Sequence, residues 1–120
     1  MTDSNLTEDQ IPDGERDADD TQGIDHVSLE DLERTGRTRV FEGEPRTVRL
    51  ALPAGETVPA HTHPGRDIVL HLVEGAVDVT VGGTARSLSG GDVIRFDGRH
   101  EVSLTATDDS EALLVLAPQF

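Results

Sequence analysis

The sequence predicts an all-β domain, built either as a sandwich or as a closed barrel. Short runs of alternating apolar and polar residues fill most of the chain after residue 38, and this period of two is typical of half-buried strands. Turn-forming pairs such as Gly82-Gly83 and Asp97-Gly98 divide the runs every few residues. Because no run has the period and length of a long helix, we expect eight or nine short strands, the pattern of sandwiches and barrels.

The chain divides into three parts. Residues 1–25 lack apolar periodicity and are rich in Asp, Glu, Thr and Gly, which predicts a disordered acidic tail. Residues 26–37 form a short lead-in, where Ser28 and Asp31 have the spacing of a capping box and predict one helical turn. Residues 38–120 form the predicted β domain.

The predicted strands follow one another closely in the β domain. They are expected over residues 47–52, 58–63, 68–73, 76–81, 84–88, 92–96, 100–105 and 111–117. In the seventh of these, His100 shares one face with Val102 and Leu104 because side chains alternate along a strand. His100 is therefore expected to point into the core.

The charge of the chain limits its partners. The net charge is −14, of which residues 1–35 carry −10 and residues 36–120 carry −4. Such an acidic chain repels phosphate backbones and anionic lipids, so we expect neither a nucleic acid nor a membrane as partner. Three Phe without any Tyr or Trp also give no platform for stacking bases.

The composition also bears on the source and the compartment. All ten basic residues are Arg, and an acidic surface without Lys resembles that of proteins from salt-accumulating halophiles; drift in a GC-rich genome is the alternative. The chain has no Cys, which excludes disulfides and thiolate ligands. No secretion signal or apolar spanning run is found, so a cytoplasmic protein is expected.

A histidine-rich segment is the main candidate for chemistry. His61 and His63 are two residues apart, so on a strand both imidazoles would point to one face, and Asp67 follows four residues later. Two neutral imidazoles with a nearby carboxylate form a plausible half-site for a divalent metal. Histidines that serve only structural roles are the alternative.

These residues resemble the first motif of the cupin family. In that motif a Gly, five residues, His-x-His, three or four residues, Glu, six residues and a Gly follow one another. Here five residues separate Gly55 from His61-Thr62-His63, Asp67 replaces the Glu, and seven residues separate Asp67 from Gly75.

The second cupin motif is matched less closely. Gly91 opens it, Asp97 replaces the Pro, Gly98-Arg99-His100 reaches the histidine two residues early, and Leu104 holds the usual Asn position. The resemblance covers roughly residues 48–118. It implies a double-stranded β-helix of the jelly-roll type, with His61, His63 and His100 converging inside as ligands of Fe, Mn, Ni or Zn.

The sequence leaves open whether Asp67 is a fourth metal ligand. Counted from His63, Asp67 has the ligand position, whereas counted back from Gly75 that position falls on Ile68. If Leu70 and Leu72 face inward, Asp67 joins the site only through a bulge near residues 67–69, and the alternative is a solvated loop carboxylate. His71 is then expected on the outer face. Arg66 is either a grip for a carboxylate substrate or a solvated loop residue.

Two functions fit this pattern. The first is a mononuclear metalloenzyme, for which the cupin resemblance implies oxygenase or isomerase chemistry. The second is a non-enzymatic cupin that binds a small ligand or a metal, since the chain shows no obvious general base and no aromatic frame for a substrate. A metal-free cupin with vestigial histidines is a third version. A homodimer is expected because so small a domain buries little surface alone.

Overall fold

In this computed structural model, the structure describes residues 23–33 and 36–120. The described part contains nine strands, in agreement with the eight or nine expected, although no strand was predicted before residue 47. They are β1 (Gly36–Arg39), β2 (Arg46–Leu52), β3 (Thr57–His61), β4 (Arg66–Glu74), β5 (Ala76–Val81), β6 (Thr84–Ser89), β7 (Val93–Asp97), β8 (Val102–Ala106) and β9 (Ser110–Pro118).

The strands form two antiparallel sheets. The five-stranded sheet has the order β1-β2-β9-β4-β7, and the four-stranded sheet has the order β3-β8-β5-β6. Strand β9 lies at the centre of the first sheet and pairs with β2 on one side and β4 on the other. This arrangement is a jelly roll, the fold that the family resemblance implies, and it confirms the all-β class that the alternation predicts.

The core lies between the two sheets and follows the alternation along the strands. Ile68, Leu70 and Leu72 of β4 are each 0% exposed, so every second residue of this strand points inward. Val77 and Val79 of β5 meet them from the other sheet. The remaining buried apolar residues are Val48, Leu50, Leu52, Leu88, Val102, Leu104, Ala106, Ala112 and Leu116.

One irregularity interrupts the central pairing. Glu111 of β9 lies opposite Glu74 of β4, whereas the next residue, Ala112, lies opposite Leu72. Val73 is therefore the extra residue of a β-bulge. The bulge places the side chain of Glu74 on the outer side of the sheet, beside that of Glu111. The outer side means the side that faces away from the other sheet.

The lead-in contains one short turn. Leu29–Asp31 form a 3₁₀ turn, but the Ser28 side chain makes no capping hydrogen bond. The predicted capping box is wrong because the turn ends at once: Leu32 is already extended, with φ −89° and ψ 157°. Of the predicted disordered tail, residues 1–22 lie outside the described residues. Within the described ranges, no helix has the length and apolar character needed to cross a membrane.

Candidate functional site

A small cavity lies between the sheets, and two of the predicted site residues line it. Its volume is about 30 Å³, which is room for an ion or one to two waters, since a water needs roughly 10–15 Å³ by the same measure. The polar side chains in its wall belong to Arg37, His61 and His63. The rest of the wall is apolar and is formed by Val48, Leu50, Val58, Ile68, Leu70, Phe96, Val102, Leu104, Leu114 and Leu116.

The ring of His61 is fixed by a backbone carbonyl. His61 is the last residue of β3, and its Nδ1 lies 2.8 Å from the carbonyl oxygen of Pro59. Because a carbonyl oxygen only accepts, Nδ1 donates this hydrogen bond, so Nε2 is the ring nitrogen left for a metal ion. This is the arrangement that orients metal-binding histidines in proteins.

His63 lies in the turn after β3 and is held by a glycine of a neighbouring turn. Its N–H donates to the carbonyl of Gly98 at 2.7 Å, and the N–H of Gly98 donates to the carbonyl of Arg66 at 2.7 Å. A methyl group on Gly98 would lie 2.9 Å from the Arg66 oxygen and would meet the His63 oxygen more closely still. Only glycine therefore allows the two turns to approach this closely.

The imidazoles of His61 and His63 form an edge-to-face pair. Their centroids are 4.7 Å apart and their planes make an angle of 87°. Burial lowers the pKa of His63 from 6.5, and the neighbouring His61, Arg37, Arg46 and Arg66 lower it further. A neutral His63 has a lone pair for a metal or a hydrogen-bond donor.

His100 does not lie with this pair. It is exposed and lies in the turn before β8, and its imidazole lies beside Gly82, where an added methyl group would be 3.2 Å from Nδ1. The expectation that His100 points into the core is wrong because β8 begins only at Val102. The N–H of His100 instead donates to the carbonyl of Asp97, which closes a turn.

Asp67 also lies away from the cavity. It precedes the inward-pointing Ile68 and is exposed on the outer side of β4, where its Oδ1 accepts a hydrogen bond of 3.0 Å from Gln119. The bulge considered near residues 67–69 is absent, because β4 and β7 pair without a break from Asp67 to His71. His71 lies on the same outer side as Asp67.

The donors present therefore fit a metal ion only in part. Among residues 23–33 and 36–120, no group of three or more His, Asp or Glu side chains is placed to hold a metal. Of the described residues, His61 and His63 are the two histidines that line the cavity. Two ligands leave most positions of a divalent ion for water or a bound molecule.

The two arginines near this site have different roles. Arg37 of β1 lines the cavity. No motif in the sequence indicates this position, because it depends on the pairing of β1 with β2. Arg66 is engaged with Glu44, with Nη2 and Oε2 3.1 Å apart, and also donates to the Leu116 carbonyl at 2.9 Å. The hydrogen bond from Arg66 lowers the pKa of Glu44. Arg66 thus fastens the segment before β2 to β4.

A comparison with known protein families shows to which family the chain belongs. A family model described as "Cupin domain" matches residues 48–117. The chain belongs to the cupin family. In this cupin the match begins in β2 and ends in β9, so it includes both histidines of the cavity.

Solved structures of other proteins agree with the fold. A protein from Thermus thermophilus, TT1209, is 27% identical with a TM-score of 0.70, and the match covers 81% of this chain and 100% of that one. KdgF from a Halomonas species is 24% identical with a TM-score of 0.63, over 70% of this chain and 80% of that one. A protein from Thermotoga maritima described as a predicted oxalate decarboxylase is 23% identical with a TM-score of 0.63, over 68% and 78%. No curated protein matches the chain.

Proposed function

We propose that this cupin is a binding protein that takes up a divalent metal ion in the barrel cavity through His61 and His63. Water or a small-molecule ligand fills the remaining coordination positions. The observation that carries the proposal is the hydrogen bond between His61 Nδ1 and the Pro59 carbonyl, which leaves Nε2 as the free donor atom beside a neutral His63.

The size of the cavity supports binding rather than turnover of an enclosed substrate. A volume of about 30 Å³ accepts an ion with a water, whereas pockets for metabolites have about 300–1,000 Å³. The oxygenase or isomerase chemistry expected from the family resemblance would need a larger space or an opening of the barrel. The structural neighbours below 25% identity support the fold and carry no activity over to this chain.

The ligand set predicted from the sequence is a separate and larger proposal. It adds Asp67 and His100 to the histidine pair, and both would have to turn from exposed positions towards the cavity. The two proposals differ in one measurable way. A two-histidine site binds metal equally well without His100, and a four-residue site does not.

Titration calorimetry of metal-stripped protein without a His-tag tests the proposal. We expect Ni²⁺ or Zn²⁺ to bind about one ion per chain at neutral pH, in enough salt to suppress loose binding to the acidic surface. His61→Ala should abolish this binding, while the matched control His71→Ala, on the outer side of β4, should leave it intact. Undiminished affinity in His61→Ala would exclude the histidine pair, and loss of binding in His100→Ala would favour the larger site.

A further inference from the structure

The five-stranded sheet has two arginines on its inner side at the β1 edge. Arg37 of β1 lies opposite Leu50 of β2. Two residues further along β1, Arg39 lies opposite Val48. Residues directly opposite one another in an antiparallel pair share a face of the sheet. Because Leu50 and Val48 are buried in the core, both arginine side chains start on the side of the sheet where the histidine pair lies.

Of these two arginines, Arg37 reaches the barrel cavity. It forms part of the cavity wall together with His61 and His63. Arg39 lies outside that wall, and its Nε donates to the carbonyl of Phe41 at 3.0 Å. The guanidinium of Arg37 makes no ion pair with the described part of the chain. Arg37 thus has hydrogen-bond donors that a ligand of the cavity can use.

The polar side chains of the wall mark the open end of the barrel cavity. Arg37 is exposed and the two histidines are half-buried, whereas Ile68 and Leu70 in the apolar wall are fully buried. A molecule that enters from solvent therefore meets the polar end first. None of the described residues in the wall is Asp or Glu, although the chain has 24 of these residues against ten Arg. The entrance of the cavity is thus positive on an otherwise acidic protein.

We propose that the small molecule that completes the metal site is a carboxylate anion, and that Arg37 selects it. The carboxylate replaces water on the ion held by His61 and His63 and accepts hydrogen bonds from the guanidinium of Arg37. This inference rests on the proposed function, because the bound ion is one of the two partners of the anion. Arg37 is the specificity-determining residue of the site.

Charge and size favour a carboxylate over other ligands. Two neutral imidazoles leave a divalent ion with its full charge, and a charge in apolar surroundings is costly unless it is paired. A neutral ligand would leave both the ion and Arg37 without a counter-charge, whereas one anion serves both. A cavity of about 30 Å³ has room for the ion and a small head group only, so a flat carboxylate fits better than a tetrahedral phosphate.

Calorimetric titration of the nickel-loaded, full-length protein with two probes tests the charge of the ligand. Acetate carries the carboxylate, and acetamide has nearly the same shape without the charge. At constant ionic strength in a weakly coordinating salt, we expect saturable binding of acetate at one site per chain and binding of acetamide weaker by about tenfold or more. Equal affinity for the two probes would overturn this inference and leave the metal site standing. Failure of nickel to bind would overturn both.

Substitution of Arg37 separates its charge from a structural role. Arg37→Gln should weaken acetate binding about tenfold, the effect of losing one charge-assisted contact. Without acetate, the same variant should bind nickel about threefold more tightly, because a cation beside the histidine pair repels the ion. Arg95→Gln removes an equal charge from an exposed position of β7 outside the cavity, and this matched control should change neither affinity.

Two results of these substitutions would contradict the role of Arg37. Weaker binding of both nickel and acetate in Arg37→Gln would show that Arg37 only supports the structure of the site. Equal acetate affinity in Arg37→Gln and Arg95→Gln would show that the anion is bound without Arg37. Either result would overturn the inference, whereas opposite changes in the two affinities would support it.

Discussion

Replacing Gly98 with alanine is expected to disturb the fold and the histidine site together. Gly98 connects the turn that carries His63 to the turn after β7, through two backbone hydrogen bonds of 2.7 Å. The new methyl group would collide with the carbonyl oxygens of His63 and Arg66 and would lie 3.1 Å from the carbonyl carbon of His63. These are backbone atoms, so the methyl group fits only if one of the two turns moves.

The expected cost follows from these contacts. Forcing an extra carbon into a packed site costs about 1–3 kcal/mol. Weakening two backbone hydrogen bonds adds about 0.5–1.5 kcal/mol for each. The free energy of unfolding should therefore fall by about 4 kcal/mol, a large part of the roughly 5–15 kcal/mol that folded domains have. For a domain of this size the midpoint of thermal unfolding should fall by about 15–30 °C.

Gly83→Ala is the matched control. Gly83 lies in the turn between β5 and β6 with a φ of +85°, and nothing lies within 4 Å of an added methyl group. Its substitution should cost only the strain of a left-handed backbone, about 1–2 kcal/mol. Urea unfolding of both variants measures the two costs, and metal titration of the folded Gly98→Ala protein should show weakened binding. Equal costs for the two variants would refute the reasoning, because then the close approach at Gly98 would contribute nothing.

Four further predictions concern pH, charge and assembly. The pKa of His63 is lowered below 6.5 in the folded protein, so the unfolded chain binds more protons. The metal-free protein should therefore lose stability as pH falls through 6.5 and towards the folded pKa. Urea titrations of a His63→Gln variant at several pH values should lack this loss of stability. Glu111→Gln leaves the buried Arg49 without its charged partner and should cost about 3 kcal/mol, measured by urea unfolding, whereas Glu101→Gln should cost almost nothing. With a net charge of −14, the protein should unfold at a higher temperature in molar KCl than in dilute buffer, since the screening length shrinks from about 30 Å to about 3 Å; a flat response would contradict the expected halophilic character. The expected homodimer should give twice the monomer mass in light scattering, and a sharp monomer mass would exclude it.

The fold could be predicted because the signals for it are local. Each strand of the core shows its own alternation, and β4 shows it most completely, with Ile68, Leu70 and Leu72 fully buried. Turn residues such as Gly82-Gly83 then separate one strand from the next. Such patterns can be recognised in a single sequence because the polarity of each residue follows its own burial in the strand.

The difference between the expected and the observed position of His100 has an equally local cause. The alternation of Val102 and Leu104 predicts an inward His100 only if the strand includes residue 100, and the strand begins at Val102. The histidine stands two residues earlier than in the family motif, and this shortening leaves it in the turn. For Asp67, the bulge considered near residues 67–69 is absent, and the irregularity of β4 lies at Val73 instead.

Arg49 could not be recognised from the sequence at all. Its position in the alternation of β2 predicts an outward and therefore solvated side chain, which is the usual outcome for arginine. Its burial depends on Glu111, which belongs to β9 and is close to it only in the folded sheet. A single sequence without an alignment gives no indication of such a pair.

The central position of β9 has a consequence for biosynthesis. The five-stranded sheet cannot close before β9 is available, since β9 separates β2 from β4 and pairs with both, joining Leu52 to Ser110 and Arg66 to Pro118. During translation, one hydrogen-bonding edge of β2 and one of β4 therefore remain unpaired until residues 110–118 have left the ribosome. Chains dominated by such distant pairings fold slowly, and exposed strands of this kind are prone to aggregate. In the cell, the nascent chain should therefore depend on holding chaperones, and synthesis at low temperature should raise the soluble yield.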